Sequence, residues 1–210
     1  GEYFMILSVE NFTLSINKKK IKQNWNFSIS EKDFIIVTGK SGSGKTTLLN
    51  NLSLIDKQYT GNLFYFEKKV SKHDIQRLRR NHISYLFQNY ALLENQTVQY
   101  NFELAKKFNS NISNDHIYNL LTDFSLPKDI LKEKIFLLSG GEQQRIALIR
   151  NMLKPFDILF ADEPTGNLDK ENSTFIMNFL KNLTEKEKKA VVLVTHDLNV
   201  LNYGTNIIEL

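Results

Sequence analysis

Asn24-Trp25-Asn26-Phe27-Ser28-Ile29-Ser30 alternates polar and apolar residues without a break. A period of two turns one face to a core and the other to solvent, as in an antiparallel strand, so the N-terminal region predicts a small β layer. Three other stretches carry a different pattern. Phe34-Ile35-Ile36-Val37, Ile158-Leu159-Phe160-Ala161 and Val191-Val192-Leu193-Val194 are continuously apolar, as expected of central parallel strands covered on both faces. Each leads at once to a polar motif: residues 39–46, Asp162-Glu163, and His196. In an open parallel sheet, ligands bind beyond the carboxyl ends of the strands, so these motifs are expected to converge on one site.

Between Gln88 and Leu138 the pattern becomes helical. Ile117, Leu120, Leu121 and Phe124 recur at i, i+3, i+4 and i+7, and Pro127 closes the segment. The chain therefore predicts a single α/β domain over 1–210. Its mostly parallel core sheet and N-terminal antiparallel β layer would occupy 1–87 and 139–210, with an inserted helical subdomain at 88–138. There is no repeat, low-complexity tract or long linker.

Composition narrows the function classes. With 210 residues and no Cys, disulfides and zinc-thiolate sites are excluded, and a reducing compartment is the expectation. The longest apolar runs are strand-sized, far below the roughly 20 residues needed to cross a bilayer, and no export leader is evident. The net charge of +4 is spread among nearly as many carboxylates. Lys18-Lys19-Lys20 and Arg77-Leu78-Arg79-Arg80 read as solvated faces, so no nucleic-acid partner is expected.

Gly39-Lys40-Ser41-Gly42-Ser43-Gly44-Lys45-Thr46 fits the Gly-x-x-x-x-Gly-Lys-[Ser/Thr] phosphate-binding loop, set between a buried strand and Thr47-Leu48-Leu49, which can open a helix. Gly39, Gly42 and Gly44 let successive N–H groups face phosphates at the positive end of the helix. Lys45 places a cation on the β and γ phosphates, and the Thr46 hydroxyl is suited to Mg²⁺. Asp162 ends a buried strand where a carboxylate reaches the same metal. Glu163, one residue further out, is placed to deprotonate an attacking water. An Asp-Glu pair alone would read as a solvated turn. The continuation through Pro164-Thr165-Gly166-Asn167-Leu168-Asp169 favours the catalytic reading.

Ser139 with Glu142 forms a capping box ahead of Ile146, Ile149 and Leu153. A helix start that served only stability would not carry Gly140 and Gly141, which leave bare N–H groups at a positive helix end. Since Lys45 already cradles phosphates, this second cradle is expected to serve a nucleotide bound to another subunit. His196, after Val194-Thr195, is placed to bond a γ-phosphate or the attacking water. His73, His82 and His116 have no such setting and are expected at the surface. Gln88 remains as a polar candidate near magnesium.

In this order, the phosphate loop, Gln88, Leu138-Ser139-Gly140-Gly141-Glu142-Gln143-Gln144, Asp162-Glu163, Asp169 and His196 resemble the nucleotide-binding subunit of ABC transporters over nearly the whole chain. The resemblance implies ATP and Mg²⁺ as cofactors. Gly39, Ser41, Gly42, Ser43, Gly44, Lys45, Thr46 and Thr47 would hold ATP, with Ile16 on the adenine side. Thr46, Gln88 and Asp162 would hold the metal, and Glu163, His196, Gln88 and Lys45 would carry catalysis. Ser139, Gly140, Gly141, Glu142 and Asp169 would complete the site from a second copy of the chain. An integral membrane permease is the implied partner, which would place the chain on the inner face of the cell membrane.

Residues 162–169, with Arg79-Arg80 and Phe87-Gln88-Asn89 upstream, are similar to the MacB/LolD/FtsE group of that family. The segment from Tyr85 to Asn101 resembles Gram-positive members linked with export of, or resistance to, peptide antibiotics and bacteriocins. A cell-division role, as in FtsE-like proteins, stays open. A soluble DNA-maintenance ATPase would require long coiled coils between Thr46 and Leu138, where no sustained heptad occurs. A P-loop kinase would leave residues 138–144 without a purpose. Three departures stand out: Ile16 where an aromatic usually stacks on adenine, Lys32-Asp33 where Gly-Glu is common, and Ile149 where a small residue is usual. The chain ends at Leu210, so no added C-terminal regulatory domain is expected.

Overall fold

Two sheets stand one above the other, and the alternation of side chains along the parallel one builds a separate core on each of its faces. The computed structural model describes residues 3–16, 19–107, 109, 111–166 and 168–210. Lys18 of the basic cluster and Asn167 of the 162–169 motif lie outside them, as does the side chain of Lys19.

The first sheet is antiparallel. Its strands β1 (Met5–Ile16), β2 (Lys19–Ser30), β4 (Tyr59–Tyr65) and β5 (Lys68–Lys69) run in the order β2-β1-β4-β5. The alternating stretch 24–30 lies in β2, which pairs antiparallel with β1, as its period of two predicts. The second sheet has the order β6-β7-β8-β3-β9, with β3 (Phe34–Thr38), β6 (Ile83–Leu86), β7 (Ile158–Asp162), β8 (Ala190–Val194) and β9 (Asn206–Glu209) all parallel. The three apolar runs are its adjacent strands β7, β8 and β3.

Successive residues of these strands enter different clusters. Ile35, Val37, Ile158, Phe160, Val192 and Val194 pack with the antiparallel sheet and with Leu48, Leu49 and Leu52 of helix α1 (Lys45–Leu52). Phe34, Ile36, Leu159, Ala161, Val191 and Leu193 face the other way. They meet α5 (Gly140–Met152) through Ile146 and Ile149, and α6 (Lys170–Glu185) through Ile176 and Leu180. Continuous apolarity is thus the sequence mark of a strand with a core on each side.

Among the described residues the other α-helices are α2 (Ile75–Asn81), α3 (Val98–Lys106) and α4 (Asn114–Asp123). The expected apolar face of α4 is buried at Ile117 and Leu121, and Phe124 caps its end. Val98, Phe102, Ile117, Leu121 and Phe124 join the same cluster as Leu159 and Leu193, so the helical segment shares a core with one face of the parallel sheet. Thr97, Ser113, Ser139 and Asp169 each cap the helix that follows, accepting a backbone N–H through a side-chain oxygen.

Candidate functional site

The three strand-end motifs meet. A hollow of about 510 Å³ is lined by Ile16, Ser41, Gly42, Gly44, Lys45, Thr46, Thr47, Gln88, Glu163, Val194 and His196. Gly39, Gly42 and Gly44 have φ of 150, 77 and 101°, which turns the loop tightly between β3 and α1. Gly39 needs the absence of a side chain for a further reason: a Cβ there would lie 2.3 Å from the Leu210 carbonyl oxygen. Lys45 is buried, and its Nζ donates to the carbonyls of Gly39 and Lys40 at 2.9 and 3.0 Å, folding the cation back over the loop. Ser43 Oγ is buried with no hydrogen-bond partner among the described residues.

The Thr46 hydroxyl donates to Asp162 Oδ1 at 3.2 Å, so the two oxygens expected at a magnesium ion already stand side by side. Asp162 is buried, and burial pushes its carboxyl above the ordinary range. The Thr46 hydrogen bond and Lys45 act against that shift, and the Glu163 charge reinforces it. Burial that disfavours the carboxylate is the setting in which a divalent cation gains most. A hydroxyl beside a buried carboxylate, with Gln88 lining the same hollow as Thr46, offers oxygen donors of the kind magnesium takes.

Glu163 sits at φ 48°, in the left-handed region, a conformation that costs a non-glycine residue roughly 1–2 kcal/mol. Two backbone bonds hold it there. Its N–H donates to the Val194 carbonyl at 2.9 Å, and the Gly166 N–H donates to its own carbonyl at 3.1 Å. The turn aims the carboxylate at His196, whose Nδ1 lies 2.9 Å from Oε1. That contact raises the pKa of His196, first through the hydrogen bond and then through the charge of Glu163. Beyond this pair lies a second hollow of about 440 Å³, lined by Thr165, Gly166 and Asp197 among others.

Ser139, Gly140, Gly141, Glu142 and Asp169 are elsewhere, outside both hollows. The capping box is complete: Ser139 Oγ accepts from the Glu142 N–H at 3.3 Å, and the Ser139 N–H donates to Glu142 Oε2 at 2.8 Å. Ser139 and Gly140 are exposed. Asp169, also exposed, accepts from the N–H and side-chain amide of Asn172 at 2.8 and 2.9 Å. Asn172 is marked in the sequence only by the Asp-x-x-Asn spacing of a cap, which says nothing of the second bond its amide makes to Arg145. His82 departs from the expected surface position: it is half-buried, 2.7 Å from Asp157 Oδ2, with its ring edge against Phe66.

The sequence profile described as ABC transporter matches residues 22–166. Among relatives, an uncharacterized ABC transporter ATP-binding protein of Methanocaldococcus jannaschii, MJ0796, is 36% identical over 90% of this chain and 84% of its own length. A macrolide export ATP-binding/permease protein MacB of a Shewanella species is 36% identical over 88% of this chain, but the match spans only 29% of that protein. A dimeric structure of MJ0796 in a post-hydrolysis state, bound to ADP and Pi, superimposes with a TM-score of 0.84 at 32% identity, covering 98% of this chain and 94% of the other. Matched at that coverage, the chain belongs to the ABC transporter family, as one of its ATP-hydrolysing cassettes.

Proposed function

We propose that two copies of this chain close on two ATP molecules and that the closure drives a separate integral membrane permease, in export of, or resistance to, antimicrobial peptides and bacteriocins. One observation carries the paired reading. The loop, the carboxylates and His196 share one hollow, whereas the glycine turn at Ser139 lies exposed outside it, a second cradle without a use in its own subunit. The dimeric form of the MJ0796 relative supports it. The MacB relative supports a membrane partner, as does the resemblance of the Tyr85 to Asn101 segment to peptide-export cassettes.

In this reading Lys45 leaves its loop carbonyls for the β and γ phosphates, and the N–H groups of residues 41–47 take the remaining phosphate oxygens. Ile16 closes the adenine side as an aliphatic contact in place of a stacking ring. Thr46, Asp162 and Gln88 are the residues to hold Mg²⁺, which when bound would neutralise phosphate charge. Glu163 takes the proton of the attacking water, and His196 holds the Glu163 carboxylate in place and meets the γ-phosphate. Ser139, Gly140, Gly141, Glu142 and Asp169 of the second copy complete the enclosure. ATP thereby favours the closed pair over the open one, and hydrolysis releases it.

A surface for the permease is available beside Phe87, the residue before Gln88. There a groove of about 640 Å³ has apolar walls at Ile55, Ile75 and Ile83 and a rim carrying Lys72, Arg79, Arg150 and Lys154. Burial, then the neighbouring charges of Arg79 and Arg150, bring the Lys154 ammonium down to about 8. Such a rim suits an acidic segment of a membrane subunit, holding the chain at the inner face of the membrane.

The test is Glu163→Gln, which should keep ATP binding, accumulate an ATP-dependent dimer, and lose about 10²-fold to 10⁴-fold in turnover. Normal turnover would sink the assignment. Proteins co-purifying in mild detergent with the tagged variant and ATP identify the partner. A few-span membrane protein with a large external domain supports peptide export or resistance, whereas recovery of only soluble or cell-division proteins overturns it.

A further inference from the structure

The side chain of Asn172, on the first turn of α6, touches both parts of the exposed surface outside the hollow. Its Nδ2 donates to Asp169 Oδ2 at 2.9 Å, and its Oδ1 accepts from Arg145 Nη2 on α5 at 2.8 Å. The same amide lies under the glycine turn. A Cβ on Gly141 would stand 2.9 Å from the Cγ, Oδ1 and Nδ2 atoms of Asn172, so a side chain at 141 would have to displace this amide. Arg145 is fixed in turn. Its Nη1 donates to the Phe124 carbonyl at 3.0 Å, and its guanidinium lies 4.3 Å from the centre of the Phe175 ring.

We propose that Asn172 is a positioning residue of the ATPase, which locks Asp169 and the Ser139-Gly140-Gly141 turn into one rigid surface presented to the partner's nucleotide. The proposal rests on the paired reading above. Its chemistry is specific to a neutral carboxamide, which donates to a carboxylate on one side and accepts from a guanidinium on the other. A carboxylate at 172 would repel Asp169, and an apolar residue would make neither bond. The bonds from the Asn172 backbone and side chain also hold the Asp169 carboxyl below its ordinary range. Nothing in the link touches the hollow that holds Lys45, so losing it should spare nucleotide binding by the single chain and harm the step that needs two.

The experiment uses the full chain with Asn172→Ala, in the parent and in the Glu163→Gln background. The expected result is a kcat lower by about 10-fold to 100-fold, the scale at which misplacement of about 1 Å is felt. Fluorescent ATP should bind the single chain with unchanged affinity, and the Glu163→Gln dimer should need at least about tenfold more protein to form by sedimentation. Asn172→Asp, which keeps the shape of the amide but repels Asp169, should lose kcat as Asn172→Ala does with a Tm close to that of the parent, which separates positioning from folding. If the Glu163→Gln chain stays monomeric in ATP, the paired reading fails and takes this proposal with it. If it dimerises and Asn172→Ala matches it in dimer affinity and the parent in kcat, only the role of Asn172 falls. A kcat loss in Asn172→Ala that merely follows a loss of Tm or nucleotide affinity also overturns it, as does a parental kcat in Asn172→Asp.

Discussion

The imidazole of His196 holds its proton more firmly than a free histidine because the Glu163 carboxylate bonds and faces it. The sign follows from the raised value. The charged contact is fully present below the ordinary histidine range, about 6.5, and is lost as pH rises through the raised pKa of the folded chain. Titration by NMR should therefore find His196 above that ordinary value, and Glu163→Gln should bring it down toward it. A His196 curve that ignores Glu163→Gln would show that the carboxylate is not its partner in solution. Both residues were legible in the sequence as strand-end polar groups, but their contact was not. It depends on β7 lying beside β8, where Asp162 pairs with Val194. His82 escaped for the same reason, because its partner Asp157 is 75 residues away.

Elements were legible where local chemistry decides them. The box of Ser139 and Glu142 and the face of Ile146, Ile149 and Leu153 on α5 follow from spacing alone, and the helix is built that way. The turn between β2 and β3 shows what a single sequence conceals. Lys32 has φ 68°, in the left-handed region, which explains why glycine is common in that place among similar cassettes. Relief of roughly 1–2 kcal/mol of backbone strain, set against the extra unfolded-state freedom of glycine, predicts that Lys32→Gly stabilises the chain by about 0.5 kcal/mol. A β-branched Lys32→Val should cost at least about 1 kcal/mol. Urea denaturation with an unchanged m-value measures both, and a destabilised Lys32→Gly would refute the account. Ile149, in place of a small residue, is fully buried in the core beneath α5 and needs no such adjustment.

At the scale of the whole molecule, the parallel sheet is a wall shared by two cores. The unbroken apolar runs announce it, while the choice of which residue faces which core waits on register. Leu159→Ala should cost about 2–5 kcal/mol, and Phe160→Ala about 3–5 kcal/mol. Similar totals should arise from opposite sides. Hydrogen exchange should rise first around α5 and α6 for Leu159→Ala, and first around α1 and the antiparallel sheet for Phe160→Ala. Identical exchange patterns would mean that the two cores act as one. The alternation also furnishes a pair of built-in gauges. Val191 and Val192 are chain neighbours, yet their methyl groups report from opposite compartments. Isotope labels on the two valines would tell, from one strand and within a single spectrum, which half of the molecule a bound nucleotide or a docked partner reaches first.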